Sequence, residues 1–399
     1  MPSKRIGIIG GGIVGIAIAR QLASKSSDIH VTIMEKESQV ATHQTAHNSG
    51  VIHAGVYYQE GSLKAQLCSR GAELIKKFCA EENIQFNEVG KLVVATTANE
   101  VEKLDMIEIR AVKNGVPNLR RLKPVEFSKI EPSVVGLSAL YSPTTSVVNY
   151  RVIANRMSSN LESQGHSVKT NCVVDVISQK PKYIEVHSNS EVLNFDHVIV
   201  AAGLGTSVLA RRSRTEKTTD VQILPFRGEF YTLIGKARNI VNGLVYPVPD
   251  PRYPFLGVHF TKSLDGGTFI GPNAVLALAL EGYTRGNIVA RDIWDMVKWP
   301  GTWRMARQNW FAGIHEVEGS LSKRIFVNRA RRYVPELNNA DVVSSPAGVR
   351  AQAVDRQGRL IDDFLINHES RLTVLYNVPS PAATSCMAIA EYVEKNYFQ

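Results

Sequence analysis

The 399-residue chain has no run of about 18 uncharged apolar residues, which excludes a membrane-spanning helix. Cysteine is scarce. Cys68, Cys79, Cys172 and Cys386 are scattered with no C-x-x-C spacing, so nothing points to a zinc ribbon, a redox dithiol or a disulfide framework. No metal centre is expected, and reduced thiols fit a cytoplasmic setting. Basic residues outnumber acidic ones by 46 to 37, a net charge of +9, yet no dense basic block concentrates that charge. The tightest cluster, Arg329-Ala-Arg-Arg332, is short and reads as a strand end or turn before Tyr333-Val-Pro. Nucleic acid is therefore not an expected partner, and an acidic small substrate or anionic lipid remains. Internal repeats and low-complexity tracts are also missing. With 44% hydrophobic and 21% charged residues the composition is that of a globular chain, and its length suggests two domains or one with a large insertion.

Lys4 and Arg5 followed by Ile6–Ala19 imitate a signal peptide, but Gly7, Gly10, Gly11, Gly12 and Gly15 are too many glycines for a helical signal core. A strand–turn–helix reading explains each of them, so residue 1 is expected to be part of the fold. Residues 5–9 form a strand, Gly10-x-Gly12-x-x-Gly15 turns into a helix running to about Ser24, and His30–Met34 is a second strand ending at Glu35. Gly10 permits the tight turn, Gly12 lets the backbone approach a pyrophosphate, and Gly15 lets helix and strand pack closely. The helix N-terminus adds positive potential. Glu35 can accept two hydrogen bonds from a ribose diol and disfavours a 2′-phosphate, so FAD or NAD is preferred to NADP.

Further along, helices are expected over residues 60–82 and Val147–Gln164, with strands at Cys172–Ile177, Ile184–Val186 and 196–203. The last ends in small residues, including Gly203, suited to packing beside a nucleotide. Residues 221–275 alternate apolar and polar positions between turn signals, which predicts an antiparallel sheet. Residues 287–311 return to helix, broken at Pro300-Gly301. A strand Leu372–Tyr376 leads through Pro379-Ser-Pro381 into a helix from about Thr384 to Lys395. All four tryptophans, Trp294, Trp299, Trp303 and Trp310, fall among Arg291, Lys298, Arg304 and Arg307. Such a segment either lies in a membrane interface or packs onto the rest of the protein, and composition leaves both open.

Several stretches closely resemble the L-2-hydroxyglutarate oxidases and dehydrogenases, FAD-dependent members of the D-amino-acid-oxidase-like flavoprotein superfamily. They are His43-Gln-Thr-Ala-His-Asn-Ser-Gly50-Val-Ile-His-Ala-Gly-Val-Tyr-Tyr58, Pro225–Tyr231, Tyr246–Pro251, Leu256–Thr261, Gly348-Val-Arg-Ala-Gln352 and 377–385. The likeness runs from residue 5 to about 393; Ala46 departs from it, standing where glycine is expected.

The resemblance implies an α/β fold in which a Rossmann-like FAD-binding domain (1–85, 147–220 and 341–399) is interrupted by an α+β substrate domain (86–146 and 221–340), whose antiparallel sheet roofs the flavin. It implies FAD and oxidation of L-2-hydroxyglutarate to 2-oxoglutarate by hydride transfer to flavin N5, with electrons passed to a quinone or to oxygen. The FAD is expected to be non-covalent, with covalent attachment through His53 as the rival role, since related amine-oxidising flavoproteins carry the flavin on a histidine in a similar setting. The chemistry needs a base for the hydroxyl proton and cations for the carboxylates. His53 and His259 are the candidate bases, because imidazole titrates near neutrality. Arg227 and Arg350 are the expected carboxylate anchors, through their planar forks, with Tyr246 and Asn273 as further substrate contacts. Asn48, Ser49, Gly50, Gly203, Pro381, Thr384 and Ser385 are expected beside the flavin, the last two at a helix start whose dipole favours negative charge. Another superfamily activity, such as a glycerol-3-phosphate or amine dehydrogenase, and a non-catalytic flavin-binding protein stay as alternatives. Localisation is expected to be cytoplasmic, with peripheral attachment to the inner face of the cell membrane through anionic lipid.

Overall fold

The computed structural model describes residues 4–213, 220–250 and 256–398. Pro251, the last residue of one family-like stretch, lies outside them. The apolar strand Lys4–Ile9 sits inside a six-stranded sheet, hydrogen-bonded in parallel to Ile29–Met34 on one side and His197–Val200 on the other. Ser167–Lys169 and Leu372–Asn377 extend this parallel core, and Leu365–Glu369 closes one edge antiparallel. Central strands covered on both faces read as continuous apolar runs, as Ile6–Ile9 and Val198–Val200 do. One face is covered by the helices Ile13–Ala23, Leu63–Glu81, Tyr150–Ser163 and Ala382–Tyr397, whose buried side chains form one core with the sheet. The other face packs on a small antiparallel sheet made of Val174–Gln179, Ile184–Ser188 and Val192–Phe195.

The second large sheet has nine strands among the described residues. Its spine is the long strand Val221–Leu233, flanked by Thr268–Gly271 and Val342–Asp355. The pairing is antiparallel apart from Leu244–Pro247, which runs parallel to Lys91–Ala95. The boundary expected at residue 341 does not fit this topology. Val342–Asp355 pairs with Val221–Leu233 from Val221↔Asp355 to Leu233↔Val342, so it belongs to the second sheet and returns the chain to the first.

Three local expectations also shift. The helix expected from Val147 starts at Tyr150, because the Asn149 side chain caps it by accepting from the Arg151 and Val152 N–H groups. Ser146–Val148 instead pairs as a strand with Val51–Ile52 and Phe86–Glu88. The tryptophan-rich helices extend far beyond 311, through Trp310–Leu321 and Lys323–Arg331. Arg329-Ala-Arg-Arg332 is thus the end of a helix, not of a strand: Phe326, Val327 and Ala330 bury one face at helical spacing while Arg331 and Arg332 point outward.

The helices Leu63–Glu81 and Ala382–Tyr397 touch at Gly71, where a Cβ would lie 2.4 Å from the Thr384 carbonyl oxygen and 2.6 Å from Ser385 Cα. Gly71→Ala is expected to force these helices apart at a cost of about 1–3 kcal/mol, the usual scale of overpacking. The checking measurement is the thermal midpoint, expected to fall by several degrees; an unchanged midpoint would show that the contact has slack.

Candidate active site

A cavity of about 870 Å³ runs from the glycine turn, along the carboxyl ends of the parallel strands, to the underside of the second sheet. That is the position at which open α/β sheets bind their ligands. At its first end Gly10 adopts φ +109°, and a Cβ there would lie 2.5 Å from the Ala201 carbonyl oxygen. A Cβ on Gly15 would come within 2.2 Å of the Gly10 carbonyl oxygen, so only glycine lets the helix start this close to the strand. Gly12 differs: its Cβ would meet only Thr45 Oγ1, at 3.6 Å, and would project into the cavity. The space that glycine leaves here belongs to a ligand. Glu35 is buried, with one oxygen accepting the Gly11 N–H at 2.7 Å and the other the Glu37 N–H at 3.0 Å. Each oxygen keeps a lone pair for a ribose hydroxyl. An adenosine diphosphate half therefore fits this end.

The segment 43–50 continues the wall. Asn48 and Ser49 line the cavity, but the Asn48 amide is spent on the loop, donating to Thr45 O at 2.7 Å and accepting the Gly50 N–H at 2.8 Å. Ala46 takes the place of the expected glycine without a positive φ, its N–H bonded to His43 O at 2.8 Å. Gly50 does not line the main cavity; at φ +67° its Cβ would lie 2.6 Å from Val148 O, so it is a glycine for strand packing. Gly203, at φ +52°, and Pro381 do line it.

The helix Ala382–Tyr397 aims its N-terminus at the cavity, which Ala382, Ala383 and Thr384 line. Its open first-turn N–H groups and dipole present positive potential there, as reduction of a flavin would require. Thr384 Oγ1 accepts the His53 backbone N–H at 3.1 Å and donates to Val51 O at 3.2 Å, so it positions His53. Ser385 does not reach the cavity. It is fully buried against Gly71, on the far side of the same helical turn.

At the second end His53, Tyr246, His259, Asn273 and Arg350 line the cavity together. His259 is buried against the Tyr246 ring, with centroids 3.9 Å apart, and its Nδ1–H donates to Gly257 O at 3.0 Å. That bond fixes the tautomer and leaves Nε2 with a free lone pair. Burial lowers the His259 pKa to about 4, with Arg350 and Lys91 adding to the shift, and burial with Lys91, His259 and Arg350 lowers His53 to about 3. Both imidazoles are therefore neutral at physiological pH and able to accept a proton. Asn273 shows its edge to the cavity, but its amide is tied to Glu229, accepting the backbone N–H at 2.7 Å and donating to the carboxylate at 3.1 Å.

Arg227 is not part of this wall. Side chains alternate along its strand, and Phe226, Gly228 and Phe230 line the cavity. Arg227 points to the opposite face, where it pairs with Glu229 at 3.4 Å and donates to Thr284 O at 3.3 Å. The expected carboxylate anchor at this position is therefore an ion pair on the far side of the sheet.

Two lysines escaped the sequence reading. Lys91 heads the apolar strand Lys91–Ala95 and looks like a solvated strand end, yet it is only 1% exposed. Its ammonium stands 4.9 Å from the Tyr57 ring centroid and 5.4 Å from that of Tyr246, and burial lowers its pKa to about 8. Lys64, in the first turn of its helix, is also buried and lines the cavity. The one available signal was the segment's nearness to the family-like stretch ending at Tyr58.

Residues 5–395 match the family described as FAD dependent oxidoreductase. The chain is 39% identical over 383 residues to the L-2-hydroxyglutarate dehydrogenase of Indibacter alkaliphilus, covering 96% of each protein. With the mitochondrial L-2-hydroxyglutarate dehydrogenase of Homo sapiens it shares 38% over 96% of this chain and 86% of that one. In fold it is similar to FAD-bound L-alpha-glycerophosphate oxidase from Mycoplasma pneumoniae, with a TM-score of 0.79, 22% identity and coverage of 100% of this chain and 96% of that one. Glycine oxidase from Geobacillus kaustophilus gives a TM-score of 0.72 at 18% identity, over 98% and 94% of the two chains. The glycine cradle, the buried acid beside it and the two-sheet cavity suit an FAD-dependent oxidoreductase. The chain belongs to the L-2-hydroxyglutarate dehydrogenase family.

Glu35→Ala is expected to weaken FAD retention, measured as the flavin-to-protein ratio after gel filtration. Unchanged FAD affinity would remove Glu35 from the ribose site.

Proposed function

We propose that the enzyme oxidises L-2-hydroxyglutarate to 2-oxoglutarate. The observation that carries this reading is the pairing, at the cavity end remote from the nucleotide cradle, of a guanidinium with a neutral imidazole of fixed tautomer. FAD, when bound, supplies the hydride acceptor. Arg350 binds the C1 carboxylate through its fork and so places the adjacent C2 hydroxyl. His259 Nε2 takes the hydroxyl proton, and the bond from Nδ1–H to Gly257 O keeps the ring aimed and stabilises the imidazolium. Among the described residues no ring hydrogen bond orients His53, which favours His259 as the base. Tyr246 walls the site behind His259 and excludes water.

His259→Asn is expected to slow anaerobic flavin reduction by about 10²–10⁴-fold, the scale of a positioned base. The sign of the pH dependence follows from the lowered pKa. Activity is lost as His259 takes up a proton, so the acid limb of kcat/KM should fall near 4 and not near the ordinary 6.5. A limb at the ordinary imidazole position, or a wild-type rate in His259→Asn, would move the base elsewhere.

The electron acceptor is proposed to be a membrane quinone, reached from an anionic lipid surface on the cytoplasmic face. Trp294, Trp303, Trp310 and Phe311 are 58–64% exposed on the helices between Ala290 and Leu321, with Ile314, Val317 and Leu321 exposed beside them. Trp299 is the exception, turned inward with Nε1–H on Val354 O at 3.1 Å. Indoles on a surface bearing Arg291, Lys298 and Arg307 suit the headgroup region of a bilayer. No helix among the described residues is long and apolar enough to cross it. Binding to anionic vesicles, weakened by salt, and faster turnover with quinone than with oxygen are expected. Trp303→Ser with Trp310→Ser should lose the vesicles yet still reduce its flavin with substrate; a wild-type protein that ignores anionic vesicles at low salt contradicts the attachment.

A further inference from the structure

A five-carbon dianion needs a second cation, and Arg227 cannot supply it. Among the described lysines and arginines, the cavity is lined only by Lys36, Lys64 and Arg350. Lys36 lies at the nucleotide end and pairs with Glu281. That leaves Lys64 beside Arg350. Lys64 Nζ sits 2.8 Å from Asp362 Oδ1 in an unequal ion pair: the lysine side chain is 7% exposed and the aspartate 89%. A buried cation is thus neutralised by a carboxylate that stands almost wholly in water. Exposed carboxylates of this kind gain little from such a bond and lose little on leaving it. Asp362 also lies within electrostatic range of Arg350, so one carboxylate serves both cations of the substrate end.

Asp362 can let go without disturbing the backbone. The next residue, Asp363, fastens the segment by accepting the Leu63 and Lys64 backbone N–H groups at 2.8 and 3.0 Å. Asn377 Nδ2 holds the Asp363 carbonyl at 2.8 Å. The same bonds put the N-terminus of the helix Leu63–Glu81, with its positive dipole, next to Lys64. Arg350, by contrast, lies within range of both imidazoles, His53 and His259. The two cations are thereby assigned different ends of one ligand: Arg350 the carboxylate next to the reacting carbon, Lys64 the distal one.

We propose that Lys64 is the anchor for the distal carboxylate of the substrate, and that Asp362 occupies it as an internal stand-in until a dicarboxylate enters. This rests on the proposed 2-hydroxy dicarboxylate chemistry, which it deepens by naming the residue that selects the second carboxylate. Lys64 is a specificity residue: it acts on binding and not on the proton or hydride transfer. The stand-in makes opposite predictions for the two partners of one ion pair, which a purely structural salt bridge would not.

The test uses the FAD-loaded enzyme and follows anaerobic flavin reduction by L-2-hydroxyglutarate and by L-2-hydroxyvalerate, which carries a methyl group in place of the distal carboxylate. Lys64→Met should raise the apparent Kd for L-2-hydroxyglutarate at least tenfold, with a much smaller change in the limiting rate, so that the preference for dicarboxylate over monocarboxylate collapses. Lys64→Arg should restore much of that preference. Asp362→Asn should act in the other direction, tightening L-2-hydroxyglutarate several-fold by removing the competitor. If Lys64→Met does not retain FAD, the Asp362→Asn result decides alone. A dicarboxylate preference that survives Lys64→Met, or an Asp362→Asn enzyme that binds L-2-hydroxyglutarate no tighter than wild type, overturns the proposal. A wild-type enzyme whose flavin is not reduced by L-2-hydroxyglutarate at all would instead overturn the activity on which it rests.

Discussion

Asn377 is the fastening on which the two halves of the cavity depend. It ends the strand Leu372–Asn377 of the flavin sheet, is 1% exposed, and spends its whole amide on backbone outside that strand. Its Oδ1 accepts the Ala353 N–H at 3.0 Å, and its Nδ2 donates to Ile361 O at 2.9 Å and Asp363 O at 2.8 Å. Ala353 belongs to the strand that carries Arg350, and Asp363 caps the helix that carries Lys64. One buried side chain therefore fixes the sheet of the proposed substrate end against the sheet that holds the nucleotide. Loss of any of these bonds would strand a buried polar group at about 1–3 kcal/mol.

Charge is distributed in the cavity by the same logic. The nucleotide end carries the buried Glu35 and helix N-termini, while the other end carries Arg350, Lys64 and neutral imidazoles. Lys91 shows how costly this arrangement is. A fully buried ammonium with no carboxylate beside it among the described residues is held by the faces of Tyr57 and Tyr246, and it helps keep both histidines deprotonated.

The nucleotide half was readable from the sequence because its chemistry is local. Gly10, Gly12, Gly15 and Glu35 lie within one strand–turn–helix–strand unit, and their roles follow from backbone geometry at fixed spacing. The other half depends on register, which is set across a large sequence separation. Arg227 and Arg350 look alike in their motifs, yet the antiparallel pairing puts Phe226 opposite Arg350 and Arg227 opposite Val349. A slip of one residue would have exchanged their faces. Gly50 and Ser385 lie off the cavity wall for a related reason: in a turn or a first helical turn, the neighbour of a lining residue points into the packing. Lys64 and Lys91 could not be found by pattern, since a lysine at the head of a helix or strand ordinarily faces water. Arg329–Arg332 was misread because a short helix with two outward arginines shows too little of its apolar face.

A cavity built in this way should oxidise a 2-hydroxy dicarboxylate stereospecifically through its bound flavin. The most direct test is an anaerobic titration of the purified holoenzyme, following the flavin absorbance near 450 nm as is usual for oxidised flavin. One equivalent of L-2-hydroxyglutarate per flavin should bleach it and yield 2-oxoglutarate, and the D enantiomer should leave it oxidised. Bleaching by glycerol 3-phosphate or glycine, with L-2-hydroxyglutarate inert, would contradict the account while leaving the fold intact.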